Sequence, residues 1–238
     1  LYVDAVLHYR FEVDELDFSE KRYLNAHTNY AQKTCCRAWY QRMYRLPGNR
    51  LRNVNKLNSD GLIHLDKGER ASVYLVVEDA AGNRSERLFT LIGSGEQVRN
   101  READWLSHRQ EHRINWQGFS AYIPKGSLYR DEPSRIAVLP PVRDGIGPVY
   151  QLLSDSVPAH RYMQVRFALD SIPEALHSKV LIAVVGRSGK IWSEGGKLNG
   201  ANLETRVRQF GRFTLALDMT APLIRPVDFR DGNDMGKA

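Results

Sequence analysis

Short runs in which apolar and polar residues alternate, each closed within a few positions by Gly, Pro or Asn, recur along most of this chain. Period-two alternation puts successive side chains on opposite faces of a strand, so it is satisfied by sheets that bury one side. The clearest instance begins at Ala71, where Val73, Leu75 and Val77 share a face, and returns from Glu86 to Ile92. Between the two runs lies Asp79-Ala-Ala-Gly82-Asn83, whose Gly and Asn accept the positive φ of a tight reversal. The pattern predicts a hairpin.

The same punctuation continues on both sides. Leu1 to Phe18 reads as one or two strands, Trp39 to Leu46 as strand-like, Pro47-Gly48-Asn49 as a turn, and Leu62 to Leu65 as a short strand. Ser19 is a plausible N-cap, and Tyr23, Ala26 or His27, and Tyr30 fall at helical spacing, which predicts a short helix or irregular crossover over about Glu20 to Gln32. A second block follows, with strands at Phe119–Ile123, Arg135–Leu139, Pro148–Leu153, Tyr162–Leu169, Val180–Val185, Lys190–Trp192 and Thr205–Leu217. Ser171-Ile-Pro-Glu174 suits a single helical turn, and Gly211 interrupts the last strand where a bulge or a close backbone approach is expected. The expected fold is all-β: two consecutive antiparallel immunoglobulin-like β-sandwiches, with one short helix or crossover in the first. The expected domains are 1–95, a polar linker at 96–114, a second sandwich at 115–218, and the start of a further module or a tail at 219–238. Because the strand pattern starts abruptly at Leu1 and a new apolar run begins after Asp218-Met-Thr-Ala-Pro222, we expect a piece of a longer multidomain protein.

Charge narrows the function classes. The formal net charge is +6, carried mostly by scattered arginines. The densest piece, Arg99 to Arg113, mixes Arg99, Arg101, Arg109 and Arg113 with Glu102, Asp104 and Glu111. Attraction to an acidic polymer competes here with simple solvation, and the lack of a like-charge block favours solvation. Aromatic residues do not interleave with the basic ones as a nucleic-acid platform requires. No apolar run reaches the length of a membrane-spanning helix. The two cysteines, Cys35 and Cys36, are neighbours, which argues against an ordinary disulfide and excludes a Cys-x-x-Cys site.

Few motifs carry chemistry. Glu78, Asp79 and Asn83 bring together side-chain oxygens, but far fewer than the six to eight ligands calcium takes, so the turn reading is preferred. His108-Arg-Gln-Glu111-His112 matches the inverted zincin pattern, in which two histidines on one helical face bind zinc and the Glu serves as base. Its surroundings read as polar linker, without the long helix such a site uses, and exposed linker histidines are the preferred reading. No Gly-x-Ser-x-Gly elbow and no phosphate loop occur. Trp39, Tyr40 and Tyr44 suit a ligand-facing aromatic strip, although alternation buries about half of such residues. Trp192, beside Gly195-Gly196, is a further candidate for a binding surface or a core position.

Longer patterns carry a resemblance. Phe18-Ser-Glu-Lys-Arg-Tyr23-Leu-Asn25, Arg45-Leu-Pro-Gly48-Asn49-Arg50-Leu51, Ile123-Pro-Lys-Gly126-Ser-Leu128-Tyr129 and Arg208-Gln-Phe210-Gly211-Arg-Phe213 occur in this order. Together they resemble the region after the catalytic domain in long lysostaphin-type (LytM-like) zinc endopeptidases of the Gram-negative cell envelope, over nearly the whole chain. Val77 to Ser85 and Asp218 to Ile224 resemble the closing hairpin and the junction of bacterial immunoglobulin-like repeats. The second block also resembles, more distantly, ZU-type sandwiches of ankyrins and netrin receptors, through Ile-Pro-x-Gly-Ser-Leu and Phe-Gly-x-Phe.

The resemblance implies a periplasmic or cell-envelope location, and a parent protein that cuts peptide cross-links in peptidoglycan. It also implies partners: a catalytic peptidase domain outside this chain, and peptidoglycan or another envelope component. That family binds zinc through His-x-x-x-Asp and a later His-x-His. None of the seven histidines here has Asp four residues on or His two residues on. No catalytic residue is carried over, and the chain is expected to be a non-catalytic portion with no cofactor. The alternatives are a carbohydrate- or partner-binding sandwich protein using Trp39, Tyr40, Tyr44 or Trp192, and a zinc hydrolase using His108, Glu111 and His112.

Overall fold

The computed structural model describes residues 1–95, 104–225 and 227, and the elements it contains are mostly antiparallel strands. The part of the expected linker at 96–103, with Arg99, Arg101 and Glu102, lies outside the described residues, as do 226 and 228–238 of the expected module or tail.

In the first unit, β1 (Tyr2–Val3) and β2 (Val6–Leu7) form a small hairpin, and β3 (Tyr9–Phe11) pairs with β4 (Val54–Leu57). The predicted hairpin forms from β5 (Arg70–Glu78) and β6 (Arg84–Ile92), in register from Arg70 opposite Ile92 to Glu78 opposite Arg84. These strands build a four-stranded sheet in the order β2-β1-β5-β6. Asp79 closes the hairpin: its carboxylate accepts from the backbone N–H groups of Ala81 and Asn83, 2.9 Å each, and from the Asn83 amide. A side chain spent in this way makes the turn, and the calcium reading is not needed.

The expected single helix is a helical turn at Phe18–Glu20 followed by two short helices, α1 (Lys21–His27) and α2 (Tyr30–Cys36). Asp17, not Ser19, supplies the first cap, its carboxylate accepting from the Ser19 N–H. Asn29 caps α2 by accepting from the Gln32 N–H, so the residue that starts one helix also separates it from the other. The strand expected at Trp39–Leu46 does not form. The Tyr40 carbonyl is taken by Asn29, the Arg42 N–H goes to the His27 carbonyl, and the Arg45 N–H goes to the Asp60 carbonyl. Backbone groups spent on helix ends and a loop are not available to a ladder. Leu62–Leu65 is likewise irregular. Cys35 and Cys36, expected to stay unbridged, are joined in a disulfide across a Cα separation of 3.8 Å, at the end of α2 where Arg37 turns left-handed.

The second unit is a sandwich of two five-stranded antiparallel sheets. One runs β11 (Ile136–Leu139), β12 (Ile146–Leu152), β18 (Gly211–Leu217), β14 (Val180–Val185), β15 (Ile191–Gly195). The other runs β16 (Lys197–Asn199), β17 (Asn202–Val207), β13 (Met163–Ala168), β9 (Phe119–Ile123), β8 (His112–Trp116). A short ladder of β7 (Trp105–Leu106) and β10 (Glu132–Pro133) flanks them. Alternation here reads directly into burial: Phe119, Ala121 and Ile123 point inward from β9, and Met163, Val165 and Phe167 from β13. They meet Leu152, Ile182, Phe213 and Leu215 of the opposite sheet in one core. Each of these large side chains contributes roughly 1.5–3 kcal/mol by leaving water.

The expected single strand at Thr205–Leu217 is two strands in opposite sheets. β17 ends at Val207, Arg208 to Phe210 cross the end of the sandwich, and β18 begins at Gly211, whose φ of 137° suits glycine. The predicted interruption at Gly211 is therefore a change of sheet. The helical turn expected near Ser171–Glu174 is a 3-10 segment at Glu174–Lys179.

Candidate functional site

The two units meet where four distant stretches converge. The turn at Pro47-Gly48-Asn49 lies against the loop after β9, and the Gly48 N–H donates to the Tyr129 carbonyl at 2.7 Å. A Cβ at Gly48 would stand 3.0 Å from both the Tyr129 Cα and its carbonyl oxygen, so the approach is one that glycine alone makes without displacing backbone. The Tyr129 side chain is buried with Ala26 and Leu46, and Tyr23 and Tyr44 pack around them. Its hydroxyl donates to the Arg22 carbonyl at 3.1 Å and lies 2.9 Å from His160 Nδ1. A phenol has one proton to give, so with Arg22 as acceptor the His160 Nδ1–H is the donor of the second bond. Tyr23 stacks on the His160 ring at 4.6 Å between centroids, and the His160 carbonyl accepts from Arg208 Nε at 2.8 Å.

A cleft of about 770 Å³ opens beside this joint, between the helices of the first unit and the end of the sandwich where Arg208 to Phe210 cross over. Arg22 and Tyr30 line it from the first unit; Trp192, Arg208 and Phe210 line it from the second. Within it Asp155 accepts from Arg187 through two guanidinium nitrogens, 2.7 and 3.0 Å, and that pairing holds its carboxyl below the usual range. Arg212 donates to the Gly186 carbonyl. Gln209 donates to Glu194 at 2.7 Å, and burial pushes the Glu194 carboxyl up. Burial, reinforced by Arg208, Arg161, Arg22 and Arg50, lowers the His160 imidazole, so it is held neutral. Burial likewise raises the Tyr129 hydroxyl. The chemistry this arrangement offers is recognition: cationic side chains beside an apolar wall, over a floor of uncharged aromatic groups.

The residues singled out in the sequence are dispersed. His108 lies in a turn, with Nδ1 2.7 Å from Asp131, while His112 opens β8, with Nε2 2.8 Å from the Ser107 carbonyl. Glu111 accepts from the Tyr122 hydroxyl at 2.7 Å and faces Arg113. The helix that would present His108 and His112 on one face is not formed, because the alternation from His112 to Trp116 pairs with β9 instead. Among the described residues no three His, Cys, Asp or Glu side chains are grouped so as to hold a metal ion. Trp39 and Tyr40 are exposed, with Lys33 4.0 Å over the Trp39 ring, whereas Tyr44 packs into the joint. Only Trp192, 49% exposed, stands on the cleft wall. Arg22, Tyr129, His160 and Arg208 were not singled out as site residues; the signal for Arg22, Tyr129 and Arg208 lay in the motifs that contain them, distant in sequence and adjacent in space, while His160 lies in none of those motifs.

Residues 103–218 match the model of the Zu5-like domain family, a segment that takes in the described strands of the second unit, β7 to β18. No curated protein matches the chain.

Proposed function

We propose that this chain is a non-catalytic structural and binding portion of a cell-envelope peptidoglycan metalloendopeptidase of the lysostaphin type, whose separate catalytic domain it positions or regulates. One observation carries the reading. The four stretches that resemble the region following such catalytic domains all contribute to or flank the joint: Tyr23 stacks on His160, Gly48 abuts Tyr129, Arg208 holds the His160 carbonyl, and Phe210 lines the adjoining cleft. Residues that share only a scaffold role have reason to converge on the contact that sets the relation between two units. A periplasmic or envelope location accompanies the reading.

The test uses the complete protein. Its reading frame is expected to encode His-x-x-x-Asp and His-x-His outside this chain, and Gly48→Val is expected to lower peptidoglycan cleavage without changing bound zinc. A reading frame with no such motifs, or cleavage indifferent to Gly48→Val, overturns the proposal.

A second reading, a carbohydrate-binding sandwich, draws on the exposure of Trp39 and Trp192. Retention on purified peptidoglycan is expected to fall in Trp39→Ala or Trp192→Ala; wild-type retention in both removes those residues from any such site.

A further inference from the structure

We propose that the cleft beside the joint takes a short acidic peptide, with its carboxylate on Arg22 and Arg208 and an adjoining apolar side chain against Trp192. The argument rests on what is already engaged there. Asp155 is covered by Arg187, Arg212 is spent on the Gly186 carbonyl, and Glu194 is bound by Gln209. Thr34 donates to the Tyr30 carbonyl, and the Asn25 side-chain carbonyl accepts from Lys33.

Of the four arginines on the lining, Arg187 pairs with Asp155, and Arg212 acts on the same carboxylate while donating to the Gly186 carbonyl. That leaves Arg22 and Arg208 without a carboxylate among the described residues. Arg22 makes no side-chain hydrogen bond or ion pair there, and Arg208 commits only Nε to the His160 carbonyl while its guanidinium lies 5.1 Å from the centre of the Tyr162 ring. Both line the same cleft as Tyr129. The accessible apolar part of the wall is Val157, Pro158 and Trp192, with the Tyr30 and Ser188 hydroxyls beside it.

A ligand matching this remainder brings one negative charge and apolar bulk. A hydroxyl-rich sugar acid would find few lining groups beyond the Tyr30 and Ser188 hydroxyls not already bonded, and most of its own hydroxyls would go unsatisfied. A phosphate ion would satisfy the arginines and leave the apolar wall bare. A peptide that carries a carboxylate beside an apolar side chain satisfies both, because guanidinium groups grip planar carboxylates through paired hydrogen bonds. The volume lies within the roughly 300–1,000 Å³ of ordinary ligand clefts. The inference stands apart from the proposed attachment to a peptidase: a failed titration leaves that attachment untouched, and a reading frame without zinc motifs leaves the titration untouched.

The experiment follows the Trp192 indole N–H resonance, with affinity from calorimetry. The probes are acetyl-Leu-Glu-Ala-amide, acetyl-Leu-Gln-Ala-amide, a galacturonic acid trisaccharide and inorganic phosphate. The acidic peptide is expected to shift the indole, and the neutral amide to bind about tenfold more weakly or worse. Arg22→Ala is expected to weaken the acidic peptide about tenfold with the spectrum otherwise preserved, since the side chain it removes holds nothing in the fold. Arg109→Ala, on another surface, is expected to change nothing. Equal binding of the two peptides, tighter binding of the trisaccharide or phosphate, no shift with the acidic peptide, or indifference to Arg22→Ala each overturns the proposal.

Discussion

His27 is fully buried in the first unit, its ring near Tyr9 and Phe11, with Nε2 2.6 Å from the Tyr9 hydroxyl. Tyr9 gives its one proton to the Arg42 carbonyl, so Nε2–H is the donor to Tyr9, and Nδ1 is left as a bare acceptor with no partner among the described residues. A second proton would land on Nδ1 in a site that offers it nothing. Burial, with Arg42 and Arg45 nearby, accordingly lowers this imidazole to about 4 from an ordinary 6.5. The unfolded chain therefore binds the proton first as pH falls. The stability due to the neutral ring is complete above pH 6.5, declines through the interval, and is gone below about 4, a loss on the order of 3 kcal/mol. His160 is lowered as well and adds in the same direction. Urea midpoints measured from pH 7.5 down to 4 are expected to fall, and His27→Phe to flatten that profile; an unchanged slope in the variant contradicts the assignment.

At the scale of elements, alternation decides which expectations hold. The β5–β6 hairpin was legible because apolar positions, turn residues and lengths all agree, and the Asp79 carboxylate completes the turn within five residues. Thr205–Leu217 misled because alternation describes one strand's faces and not which sheet it joins; Phe210 and Phe213 belong to the same core, reached from opposite sides of a crossing. Trp39–Leu46 misled for a different reason, since its backbone partners are helix ends, which composition does not announce. The cleft was legible only at Trp192. Arg22 and Arg208 read as two among many scattered charges, and their convergence is made by the joint, through contacts far apart in sequence. Within the sandwich, Phe213 is fully buried on β18, the central strand of its sheet. Phe213→Ala is expected to cost about 3–5 kcal/mol in chemical unfolding of the second unit, as truncation leaves both a lost transfer term and a cavity. A loss under about 1 kcal/mol would mean that the core is not shared between the two sheets.

For the whole molecule, the contacts that tie the first unit to the second among the described residues each do a distinct task. Gly48 permits the approach, Tyr129 fills the gap and bonds both sides, and Tyr23 and His160 stack across it. A contact of this kind fixes a relation between two bodies, which is what a positioning function requires. The direct measurement is the distance between spin labels on opposite units, at Ser85→Cys and Lys197→Cys, both solvent-exposed in the sheets. The account predicts a single narrow distribution in the otherwise native chain and a broad one with Gly48→Val. A broad distribution in the native background, or one that Gly48→Val leaves narrow and unmoved, contradicts it.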